Sequence, residues 1–140
     1  MHRTKTYMLI LGGLLLFGLS GFTESLGAAD PELTRAQSGG GVTVKVTYLN
    51  PQGTEDARFQ VVLDTHSVDL DKYDLKILSL LRDDSGKTYE PTGAENKGSG
   101  HHREVTVVFP RPSAGVESLQ LVIKDVAGVK ERVFRWELSQ

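Results

Sequence analysis

The side chains best suited to chemistry in this chain fall into three short stretches. Residues 63–71 read LDTHSVDLD, residues 100–104 read GHHRE and residues 125–132 read DVAGVKER. His66, His101 and His102 all lie in the first two. Imidazole nitrogens with carboxylate oxygens make a ligand set for zinc, copper(II) or nickel, and the lack of cysteine disfavours copper(I). Asp64 and His66, two apart on a strand, point off one face roughly 7 Å from each other. Asp64, His66, His101 and His102 are therefore the candidate metal ligands, with Asp69 and Asp71 beside them to supply charge and orient the imidazoles. His101 and His102 point to opposite faces if both belong to a strand, so a shared site needs the flanking glycines to let both turn. The competing reading makes these histidines hydrogen-bonding residues at strand ends.

Other chemistries fit less well. Asp69, Asp71 and Asp74 invite a calcium loop, but an EF-hand fails because Tyr73 stands at a ligand position and Asp74 at the required glycine. The competing reading is a solvated turn whose aspartates cap backbone N–H groups. Asp64, His66 and a serine could be drawn together as a hydrolase triad, yet there is no Gly-x-Ser-x-Gly elbow, and Gly98-Ser99-Gly100 sits in a glycine-rich stretch. Gly39-Gly40-Gly41 precedes a strand and no Walker lysine follows it. The reading is non-enzymatic.

The elements that must carry these residues alternate with period two. Val42, Val44, Val46 and Tyr48 share one parity; Phe59, Val61, Leu63 and Thr65 form a second inward face; Val105, Val107 and Phe109 a third; Leu119, Leu121 and Ile123 a fourth; Phe134, Trp136 and Leu138 a fifth. Residues 73–82 slip out of alternation near Ile77, which fits a bulged strand or a short helix. Residues 87–90 make one further short strand, and 92–100 read as an exposed loop. Arg103, Arg111, Lys130, Arg132 and Arg135 read as a basic but mixed surface, and Trp136 as part of the core. About seven strands with frequent turn signals and no amphipathic helix predict an all-β fold, an immunoglobulin-like antiparallel β-sandwich over 42–140.

The 140 residues suit one domain, and 16 Lys+Arg against 18 Asp+Glu leave no basic excess for nucleic acid. No disulfide, thiol nucleophile or cysteine-ligated metal is available. The first 29 residues read as a signal peptide: His2, Arg3 and Lys5, then an uncharged Leu-rich run over 7–19, then Gly-Ala-Ala before Asp30. The run is short for a membrane span, so the membrane is a partner only if this segment is retained as an anchor. Residues 30–41, with Pro31, Ser38 and three consecutive glycines, read as a flexible linker.

On LDTHSVDLD, LLRDDSGKTYEP (80–91), GHHRE with FPR (109–111), and DVAGVKERVFRW (125–136), the chain resembles small exported bacterial immunoglobulin-like β-sandwich proteins of unassigned function. The resemblance implies a periplasmic or extracellular single domain and supplies no activity. The functional expectation is a non-catalytic exported binding module, with copper or zinc as the candidate ligand at the His/Asp cluster. The alternative is a structural or adhesion and assembly module of the envelope, acting through contacts with an envelope protein.

Overall fold

The computed structural model describes residues 32–138. The expected signal peptide, residues 1–29, lies outside them. Nine strands and one helical turn follow in order: β1 Thr34–Gly39, β2 Val42–Tyr48, β3 Ala57–Thr65, α1 Leu75–Leu78, β4 Ser79–Asp83, β5 Thr88–Tyr89, β6 Gly93–Ser99, β7 His102–Phe109, β8 Ser118–Val126 and β9 Val129–Glu137. They form two antiparallel sheets, one ordered β1-β2-β3-β7-β6 and the other β5-β4-β8-β9. The alternating apolar residues of both sheets meet in one core. Tyr48 stacks on Phe59 at 4.4 Å between ring centroids, and Trp136 from the other sheet tilts against Phe59 at 5.2 Å. The fold is all-β, as the alternation requires.

Two segments differ from expectation and a third, left ambiguous, is resolved, each for a local reason. Residues 34–39, within the expected linker, are strand β1, paired with β2 from Thr34↔Thr47 to Gly39↔Val42. The glycine run is the turn of a hairpin: Gly40 and Gly41 sit at φ 62 and 78, the left-handed conformation that a two-residue turn demands. Residues 93–99, expected as loop, are strand β6, registered along β7 from Gly93↔Val108 to Ser99↔His102. The ambiguous segment is both things in turn. Asp74 caps α1 by accepting from the Lys76 N–H at 3.0 Å, Leu75 is buried, and the chain straightens into β4 at Ser79.

Two of the arginines expected on the surface are buried. Arg103 shares parity with Val105, and Arg132 with Phe134 and Trp136. Both satisfy their guanidinium on oxygen acceptors that carry no charge. Arg103 donates through Nη1 to the carbonyls of Leu70 (2.6 Å) and Tyr73 (2.7 Å), and through Nη2 to Asn96 Oδ1 (2.5 Å). This fastens the 66–74 loop over one end of the sandwich, with Leu70 wholly buried beneath it. Arg132 donates to the carbonyls of Val126 (2.8 Å) and Gly39 (2.6 Å), and burial lowers its pKa from the usual arginine range.

Arg132 belongs to a seam that joins β1 to β9 across the two sheets. Trp136 Nε1 donates to the Leu33 carbonyl (2.8 Å), Arg35 Nε to the Arg135 carbonyl (3.2 Å), and Gln37 Nε2 to the Val133 carbonyl (2.6 Å). At the seam's turns the two hairpins touch: a Cβ on Gly40 would lie 1.9 Å from the Ala127 carbonyl oxygen. At the opposite end, Asp83 organises the turn between β4 and β5. Its Oδ1 accepts from the Ser85 hydroxyl (2.6 Å) and from the N–H groups of Ser85 (2.9 Å) and Lys87 (3.0 Å), and its Oδ2 from the Tyr89 hydroxyl (2.9 Å). The Ser85 hydroxyl first, then Tyr89 and the two N–H groups, hold the Asp83 carboxyl below the ordinary carboxylate range against a burial that pushes it up.

Candidate functional site: the outer face of the five-stranded sheet

Strand register assembles the outward side chains of the larger sheet into rows. Ser38, Thr43, Asp64, His102 and Ser99 form one row across all five strands. Ala36, Lys45, Val62, Glu104 and Lys97 form the next, and Thr34, Thr47, Gln60, Thr106 and Glu95 the one after. Over the middle of these rows lies an open groove of about 580 Å³, lined by Thr34, Lys45, Thr47, Gln60, Val62, His102 and Glu104. Thr34 and Thr47 share a hydroxyl–hydroxyl hydrogen bond (2.9 Å), and Gln60 donates to Glu104 (2.7 Å). Val62 is the apolar floor, 8% exposed. Lys45 and Glu104 bring opposite charges, so the groove mixes donors and acceptors without a large net field.

Of the expected metal ligands, the sheet brings two together. Asp64 and His102 are directly opposed in the β3–β7 ladder, and His102 Nδ1 contacts Asp64 Oδ1 in an exposed pair. His66 and His101 do not join them. His66 falls just past the end of β3, where strand parity no longer governs it, and its side chain is exposed. His101 occupies the β6–β7 turn, where its backbone carbonyl accepts from the Thr65 N–H (3.0 Å). Among the described residues, no three His, Asp or Glu side chains gather as a group able to hold a metal. The nearby aspartates are occupied with backbone. Asp69 accepts from the Asp71 N–H (3.0 Å) and Asp71 from the Gly100 N–H (2.9 Å).

Ser99, His102 and Asp64 stand in the order that a Ser–His–Asp hydrolase uses. No hydrogen bond joins Ser99 to His102 among the described residues, and the Gly100 N–H is engaged by Asp71 instead of being free to hold an oxyanion.

A histidine-centred reading of the sequence passes over Lys45, Thr47, Gln60, Val62 and Glu104. Their signal is present in the strands themselves: each has the parity opposite to the core residues of β2, β3 and β7. Comparisons with protein-family models, with curated proteins and with solved structures return no match to this chain.

Proposed function

We propose that the protein is a non-catalytic exported binding module of immunoglobulin-like type, and that its ligand surface is the outer face of the five-stranded sheet. The observation that carries this reading is the open groove over Lys45, Gln60, Val62 and Glu104, lined also by His102, whose ring contacts Asp64. Its balanced charge, hydroxyls and amide over an apolar floor suit a neutral, hydroxyl-rich chain such as an oligosaccharide, which offers donors and acceptors at once. Export to the periplasm or beyond rests on the basic, apolar and small-residue pattern of residues 1–29.

A second reading, divalent metal, is favoured by one observation only, the Asp64–His102 contact. One imidazole and one carboxylate leave half of a tetrahedral shell to water, so zinc or copper(II) binds there weakly. The test is a titration of the ¹⁵N-labelled protein with maltohexaose, cellohexaose and chitohexaose, and separately with zinc and copper(II) chloride. The groove reading expects saturable amide shifts clustered on β2, β3 and β7 around Lys45, Gln60 and Glu104, reduced in Gln60→Ala. Shifts elsewhere, or none with any oligosaccharide, overturn it. Tight metal binding lost on His102→Ala moves the metal reading to first place.

A further inference from the structure

We infer that the free edge of β6 is a self-complementary surface that pairs with β6 of a second copy, extending the five-stranded sheet into one of ten strands. The first ground is that this is the one long edge left open among the described residues. β1 and β9 are tied to each other by the seam, and β5 is two residues long. β6 runs seven residues from Gly93 to Ser99, pairs with β7 on one side, and carries neither proline nor a covering strand on the other. An edge of this kind is a template for another strand.

The second ground is charge. An antiparallel two-fold pairing centred on Asn96 sets Glu95 opposite the second copy's Lys97, and Lys97 opposite the second copy's Glu95. A two-fold interface repeats each contact, so one sequence pair yields two ion pairs. Opposite charges across strands stabilise pairing and like charges oppose it. Both side chains are exposed on the outward face; Glu95 meets Arg58 at 3.5 Å, and Lys97, opposite Glu104 in the β6–β7 ladder, makes no ion pair among the described residues.

The third ground is apolar. α1 packs beside β6, and its Ile77 is 76% exposed, the most exposed large hydrophobic side chain among the described residues. A second copy docked along β6 gives this side chain cover. Pairing also makes the outward rows of the two copies continuous, so two grooves share one face.

The experiment is sedimentation velocity on the purified protein from about 10 to about 500 µM, because a single strand pair is a small, weak interface. Reversible dimerisation is expected. Glu95→Lys alone and Lys97→Glu alone each place like charges opposite one another and weaken the dimer about tenfold or more. Circular dichroism checks that each variant remains folded. Mixing the two variants restores pairing, since the copy carrying Glu95→Lys then presents two lysines to the two glutamates of the copy carrying Lys97→Glu. A protein that stays monomeric throughout the range overturns the inference. So does a dimer that neither variant weakens, or a mixture that fails to re-associate.

Discussion

β1 and β6 are the two outer strands of the same sheet, and their sequences are equally unpromising. TRAQSG and GAENKGS each hold a single alanine as their only clearly apolar residue. Yet one edge is closed and the other open. β1 is closed because Arg35 and Gln37 reach carbonyls of β9, while Arg132 reaches back to the Gly39 carbonyl at the end of β1 and Trp136 to the Leu33 carbonyl just before its start. β6 presents Glu95 and Lys97 and receives nothing comparable. The difference lies in whether long donors from the neighbouring sheet find backbone acceptors, and not in strand propensity.

The sharpest way to break this comparison is one substitution at the turn of each edge. Gly40 and Gly100 both have positive φ, 62 and 71. Alanine at Gly40 collides with the Ala127 carbonyl, whereas nothing lies within 4 Å of a Cβ on Gly100. Gly40→Ala is expected to cost about 4 kcal/mol or prevent folding, and Gly100→Ala about 1 kcal/mol from backbone conformation alone. Urea unfolding followed by circular dichroism separates the two, and equal costs would show that the turns do not differ in packing.

Next in size is Arg132→Met. It keeps the bulk of the stem and strips the Gly39 and Val126 carbonyls of their donor, at about 3 kcal/mol in the same assay. A near-neutral result would mean that the seam is held by the other three side chains without it.

A smaller effect than that at Arg132 concerns the third edge, β5, which Asp83 fastens. Asp83→Asn is expected to cost about 2 kcal/mol at neutral pH. The sign of its pH dependence follows from the lowered pKa. Its stabilisation is full above the unfolded carboxylate range and is lost as pH falls through that range toward the folded value. Unfolding free energies from pH 7 down to pH 2 should therefore fall less steeply in Asp83→Asn than in the parent. Parallel acid limbs would assign the acid sensitivity to other carboxylates.

Much of the architecture is readable in parity. Val42 to Tyr48, Phe59 to Leu63, Val105 to Phe109 and Phe134 to Trp136 all point where their alternation places them. β1 and β6 are not readable, because an edge strand with polar outward residues and a ladder on one side leaves no apolar period. The buried arginines are readable in principle: Arg132 falls in step with Phe134 and Trp136, but its charge argues for the surface until carbonyl acceptors are in view. The groove is half readable. Outward parity is available at Lys45, Gln60 and Glu104, but their adjacency depends on which strands neighbour which. The order β2-β3-β7 crosses from residue 65 to residue 102, a pairing that local sequence does not contain. The same jump explains the histidines. Asp64 meets His102 through register, while His66 and His101 sit where register ends.

The seam has a mechanical consequence. Its hydrogen bonds run in sequence from Leu33–Trp136 through Arg35–Arg135 and Gln37–Val133 to Gly39–Arg132, so β1 and β9 lie side by side and head in opposite directions. Tension that draws residue 32 away from residue 138 loads these bonds one after another instead of all at once. The domain then behaves as a zipper, yielding gradually from its Leu33 tooth at modest force, while the ladders of β2 with β3 and β8 with β9 stay engaged behind it.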